Sequence, residues 1–142
     1  MVQRVADVMT PAPTNVDATD TIEAAARAMA SGDVGALIVE SGSRIVGIIT
    51  DRDIVVRGLA EGRGLDATVG EIASDQLVTV GPGDPVATAV EVMRDAAVRR
   101  VPVMDGDTAV GIVSIGDLAV KEGRDGRMGE TLENISEGVK RH

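Results

Sequence analysis

No cysteine occurs in the 142-residue chain, which excludes disulfides, thiolate metal sites and a thiol nucleophile. Phenylalanine, tyrosine and tryptophan are absent as well. A core must therefore be built from Val, Ile, Leu, Ala and Met, and no ligand can stack on an aromatic ring of this chain. The single histidine is His142, at the last position, so there is no internal imidazole base. No run approaches the ~18 consecutive apolar residues of a membrane span. The opening stretch MVQRVADVMTP lacks the apolar segment of a secretory signal. These absences lead to the expectation of a cytoplasmic protein with no membrane partner.

The formal charge of −9 argues against nucleic acid as a partner, because a phosphate backbone demands a basic surface. With 44% hydrophobic residues, most of the chain has enough apolar side chain to form a packed core. The length suits one compact domain or two small halves that need each other.

The chain repeats itself. Shifted by 64 positions, Val5–Arg57 aligns with Val69–Lys121 without a gap. Val16/Val80, Asp20/Asp84, Ala25/Ala89, Met29/Met93, Gly47/Gly111 and Asp53/Asp117 are among the identical pairs, and Thr50/Ser114 is one of many conservative ones. In each copy an apolar stripe, Ile22, Ala25, Ala26 and Met29 or Val86, Ala89, Val90 and Met93, follows helical spacing. Asp20 and Asp84 sit where an N-cap belongs, and Pro85 suits the first helical position. Short apolar runs at Ala36–Val39 and Val101–Met104 read as strands. The turn stretches ESGSR and DGDT join them to second strands at Ile45–Ile49 and Ala109–Val113. Thr50 and Ser114 then open second helices, through about Leu59 and Lys121. Both units read β-α-β-β-α, an α/β (α+β) class, with short first strands near Val16 and Val80. The expected organisation is repeat 1 over residues 1–60, a linker over 61–68, repeat 2 over 69–121 and a polar tail over 122–142.

The doubled GIITDRD and GIVSIGD carry the candidate chemistry. Thr50–Asp53 and Ser114–Asp117 have the spacing of a capping box, which is a sufficient structural reason for them. The same spacing suits a nucleotide: a strand running into a helix start presents N–H groups to an anion, the hydroxyl can donate to phosphate, and the carboxylate can accept from a ribose diol. Both readings stand at this level. Arg99 and Arg100 precede the second repeat's strand where the first repeat has Gly35 and Ala36. They are either a solvated pair or a phosphate clamp in one repeat only. Asp51 and Asp53, at i and i+2, do not share a helix face and are not expected to hold a metal. No nucleophile–base pair can be assembled, so an enzyme is not expected.

The opening VADVMTP and VGEIASD, the apolar strand before Thr-x-x-Asp or Ser-x-x-Asp, and RRVPV together resemble the tandem CBS-domain pair, or Bateman module, over about residues 1–121. The likeness is greatest to small stand-alone bacterial members. It implies two pseudo-symmetric repeats packed through their sheets, two clefts between them and often a homodimer. It also implies a regulatory adenosine-containing ligand (AMP, ADP, ATP, S-adenosylmethionine or NAD), with no required cofactor and an unknown effector protein. By resemblance Asp53 and Asp117 hold ribose, Thr50 and Ser114 lie near phosphate, and Arg99 and Arg100 bind phosphate. Val34, Gly35, Ala36 and Val98 border adenine, and Ala25 and Ala89 line its pocket. The first copy departs from the family at Ile38, where the second has Pro102. A structural dimerisation module with vestigial clefts is the alternative.

Overall fold

The computed structural model describes residues 3–73 and 77–122. A short helix α1 (Val5–Val8) leads into β1 (Thr10–Pro11). The first repeat continues with β2 (Asn15–Asp17), α2 (Ile22–Gly32), β3 (Ala36–Ser41), β4 (Arg44–Thr50) and a single α-helical turn, α3 (Asp51–Asp53). That turn widens into a π turn, Ile54–Gly58, and closes as a 3₁₀ turn, Leu59–Glu61. The second repeat opens with α4 (Val69–Ile72) and runs through α5 (Val86–Ala96), β5 (Arg100–Asp105), β6 (Thr108–Ser114) and α6 (Ile115–Glu122).

The predicted mixed class and hairpin order stand, with differences of detail. The first strand of the second repeat is a lone parallel bridge, Val80 to Val103. The helix caps lie one residue later than expected. The Thr21 hydroxyl accepts from the Ala24 N–H at 3.1 Å, and Pro85 is itself an N-cap rather than the first helical residue. Asp20 and Asp84 instead close the preceding turns, accepting from the N–H groups of Asp17 and Gly81. A carboxylate is long enough to serve either place, and the turn wins here. The second helix of the first repeat is not a continuous α-helix to Leu59, whereas α6 is regular. The expected tail from residue 123 onward lies outside the described residues.

Both α2 and α5 end in the same way. The Asp33 N–H donates to the Ala30 carbonyl and the Val34 N–H to Met29; Ala97 and Val98 repeat this with Arg94 and Met93. This is a Schellman arrangement, with Asp33 (φ 52°) and Ala97 (φ 55°) left-handed where glycine is usual. Each hairpin turns on a two-residue loop whose first residue, Gly42 or Gly106, has positive φ.

Strands order as β2–β3–β4 in one sheet and β1–β6–β5 in the other. β1 therefore pairs not with its own repeat but with the second, Thr10 opposite Ile112 and Pro11 opposite Gly111. Two compact units result: Pro13–Leu77, and the described residues up to Ala12 with those from Val78 onward. The opening helices are exchanged between the repeats. Val5 and Val8 of α1 are buried with Val86, Met93, Val101 and Leu118. Val69 and Ile72 of α4 are buried with Ile22, Leu37, Ile49 and Ile54. Matched backbone bonds fix both exchanges: Val5 N–H to the Asp84 carbonyl at 2.9 Å, and Val69 N–H to Asp20 at 2.8 Å. Residues 61–68, expected as a linker, are tied to α2 through Ile22 N–H to Ala67 and Glu23 N–H to Leu65. Among the described residues no helix is long and apolar enough to cross a membrane.

Candidate functional site

Each repeat builds the same corner. An antiparallel strand pair ends beside the start of the next helix, because the helix begins within one residue of the strand. The Thr50 hydroxyl accepts from the Asp53 N–H at 3.1 Å, and Asp53 Oδ2 accepts from the Thr50 N–H at 2.9 Å. Ser114 and Asp117 form the same reciprocal pair, both bonds at 3.1 Å. These are complete capping boxes. All four residues are half-buried.

The strand starts close the corner. Ala36 lies directly opposite Thr50 and Arg100 opposite Ser114. Directly opposed residues share a sheet face, so each unit brings its hydroxyl residue together with the residue the sequence singled out on the neighbouring strand. The Gly35 carbonyl accepts from the Asp51 N–H at 3.0 Å, and the Arg99 carbonyl from Ile115 at 2.9 Å.

These bonds correct one expectation. Most N–H groups of the two first turns are already bonded and not held out for an anion. In the first repeat Asp51 N–H goes to Gly35, Arg52 N–H to Asp51 Oδ1 at 2.8 Å and Asp53 N–H to Thr50. In the second, Ile115 and Asp117 are bonded in the same way. Hydrogen-bond capacity remains on the side chains. A hydroxyl that accepts one bond can still donate its own hydrogen, and a carboxylate using one oxygen in a cap has a second.

Other expected positions fall differently. Ala36 is buried, Arg99 exposed, and Arg100 and Val98 half-buried. Ala25 and Ala89 are fully buried in the two separate core clusters, so neither methyl group presents surface to a solute in this structure. Val34 and Gly35 line a groove of about 470 Å³ in the Pro13–Leu77 unit. Its floor includes Met29 and Ile54, and Asp33, Asp51 and Val55 stand at its sides. Thr50 and Asp53 are not among its lining residues. The sequence signal for this groove is faint. Ala26 and Ala30, exposed at i and i+4 on α2, leave space where the second repeat has Val90 and Arg94.

Among the described residues no group of three His, Asp or Glu side chains could hold a metal ion. Asp17 lies outside these corners and has a displaced ionisation. Hydrogen bonds from the Thr19 N–H and hydroxyl hold its carboxyl below the usual value.

The CBS-domain family model matches residues 5–59 and 69–121. The CBS domain-containing protein YhcV of Bacillus subtilis is 38% identical over 132 residues, covering 93% of this chain and 94% of that protein. Hypoxic response protein 1 of Mycobacterium tuberculosis is 42% identical over 117 residues, 80% of each. The CBS domain pair of protein MJ0100, solved in complex with 5′-methylthioadenosine and S-adenosyl-L-methionine, superposes with a TM-score of 0.78. It is 26% identical over 87% of this chain and 98% of that one. CBS-domain pairs are regulatory, ligand-binding modules and generally non-catalytic. The two exchanged halves, the doubled corners and these matches converge: this chain belongs to the CBS-domain family, as a tandem pair.

Proposed function

We propose that this protein is a non-catalytic, cytoplasmic sensor that binds an adenosine-containing nucleotide of the AMP, ADP or ATP class and acts through its own homodimer on an effector protein. The observation that carries the reading is the doubled corner: a hydroxyl and a carboxylate one turn apart, with Arg99 and Arg100 at one of the two strand starts. Asp53 and Asp117 would accept from ribose hydroxyls. Thr50 and Ser114 would donate to phosphate, and the two arginines would neutralise it. The structural likeness to a domain pair solved with two adenosine compounds supports the ligand class. No cofactor is required by this reading; the nucleotide is a regulatory ligand.

One observation favours a second reading, a dimerisation module with vestigial sites. The capping boxes by themselves account for all four Thr, Ser and Asp residues. A thermal-shift panel with AMP, ADP, ATP, NAD and S-adenosylmethionine separates the two. Ligand at about 100 times its dissociation constant adds about 2.7 kcal/mol to stability. Circular dichroism must report the transition, because the chain has no Trp or Tyr. A shift with one compound that Asp53→Ala or Asp117→Ala abolishes supports the sensor. No shift with any compound, on folded protein at millimolar ligand, supports the module.

A further inference from the structure

The two corners share a backbone and differ in charge. At the first, Asp51, Arg52 and Asp53 sum to −1, because Gly35, Ala36 and Thr50 are neutral. At the second, Arg99, Arg100 and Asp117 sum to +1, because Ser114, Ile115 and Gly116 are neutral. The difference sits beside the hydroxyls. Thr50 is paired with Ala36, whose buried methyl group offers neither charge nor donor. Ser114 is paired with the half-buried Arg100, and directly opposed residues share a sheet face. Arg99, next in the chain, is exposed.

The backbone donors differ in the same sense. Asp51 Oδ1 accepts from the Arg52 N–H at 2.8 Å, so a carboxylate already holds a donor that a phosphate would need. Ile115 stands at the matching place of the second corner and has no side-chain oxygen to give the Gly116 N–H. Gly116 is exposed, and a Cβ built there would find Ser114 Oγ, at 3.6 Å, as its nearest neighbour outside the local backbone. A ligand can therefore come close to this stretch. An oxyanion at the first corner meets two carboxylates and one arginine; at the second it meets two arginines and one carboxylate. We propose that the corners take different ligands: the second an adenosine compound that carries phosphate, the first an adenosine compound without phosphate, neutral or cationic. This rests on the sensor reading above and narrows it. Asp53 keeps its part toward ribose, while the Thr50 hydroxyl donates to an uncharged 5′ group instead of a phosphate. Two different adenosine compounds can then occupy one chain together.

AMP and adenosine differ only in the phosphate and are the probes. Backbone amide shifts in NMR assign each to a corner without any substitution. AMP should saturate Ser114–Asp117 first, and adenosine Thr50–Asp53 first. Rising salt should weaken AMP and leave adenosine unmoved, since screening acts on the charged ligand. Arg99→Gly with Arg100→Ala gives the second corner the residues of the first, where the same backbone bond forms. The ratio of AMP to adenosine affinity at Ser114–Asp117 should then fall about ten- to a hundredfold, the worth of a charge-assisted hydrogen bond. Arg100→Met keeps an apolar stem without the charge and makes the same test where the double variant fails to fold. AMP saturating both corners together, or Thr50–Asp53 first, overturns the division of ligands and leaves the sensor standing; so does a ratio that neither variant changes. Neither compound moving either corner overturns the sensor reading, and this inference with it.

Discussion

The Ile115 N–H donates to the Arg99 carbonyl at 2.9 Å, the same bond that joins Asp51 to Gly35 at 3.0 Å in the other repeat. The two corners thus share one backbone and differ in side chains. Arginine at 99 and 100 replaces glycine and alanine at 35 and 36 without changing how strand start and helix start are tied. Charge at the second corner is therefore an addition to a common scaffold.

That separation makes the carboxylates testable apart from the fold. Asp117→Ala should cost about 0.5–2 kcal/mol through loss of its half of the capping box. Asp117→Asn keeps an acceptor for the Ser114 N–H and should be milder. If nucleotide binding falls in both while stability falls mainly in the first, Asp117 contacts ligand. Urea titration followed by circular dichroism, beside a binding isotherm, reads both quantities.

Gly111→Ala should be destabilising, by about 1–3 kcal/mol. A Cβ at this position would stand 2.5 Å from Met9 Sδ and 2.9 Å from the Thr10 carbonyl oxygen. Met9 can move, but the Thr10 backbone cannot without loosening β1 from β6. Amide exchange should show the loss of protection concentrated at Thr10, at Ala12 and along β6.

Ala97 holds a left-handed backbone at the end of α5, φ 55°, in a conformation that costs an L-residue roughly 1–2 kcal/mol. Replacement by glycine relieves that strain but adds freedom to the unfolded chain. The expected net result for Ala97→Gly is a gain of about 0.5–1 kcal/mol in chemical denaturation, with fold and binding unchanged.

Ile72→Ala tests the exchange of opening helices. Ile72 is fully buried among first-repeat residues, although it belongs to the second repeat in sequence. Truncation should cost about 2–5 kcal/mol. The chemical-shift changes in NMR should fall on Ile22, Ile49 and Ile54 rather than on α5 and β5.

Asp17 should titrate below the ~3.9 of a free aspartate, because the Thr19 bonds favour its charged form. A depressed native pKa means that this contribution to stability is complete above the unfolded value and is lost as pH falls through the native one. Thr19→Ala removes the side-chain bond and should raise the Asp17 midpoint in a carboxylate NMR titration. An unchanged midpoint would leave the backbone bond as the whole cause.

Much of the architecture was legible because it is local. Apolar spacing of three and four at Ile22, Ala25 and Met29 specifies a helix wherever it occurs, and turn residues such as Gly42 and Gly106 end strands by their own backbone freedom. The short opening helices were not foreseen, although Thr68 and Glu71 spell a capping box. Four residues carry too little periodicity for a helix to be read from them. The π turn after Asp53 has no sequence signature at all. The candidate corners were legible as Thr-x-x-Asp and Ser-x-x-Asp, and their closure by the Gly35 and Arg99 carbonyls was not.

By itself, then, the sequence determined two copies of one β-α-β-β-α pattern, a core without aromatic rings, and a doubled hydroxyl–carboxylate motif that carries the arginine pair in one copy. Only the tertiary structure decided where each copy's opening segment is buried. Val5 and Val8 are as apolar as Val69 and Ile72, so composition favours neither partner. The choice rests on long-range strand pairing, Pro11 against Gly111, and on the backbone bonds of Val5 to Asp84 and Val69 to Asp20. Such contacts join residues far apart along the chain, where local propensity has no influence and only the packed fold can distinguish two nearly identical docking places.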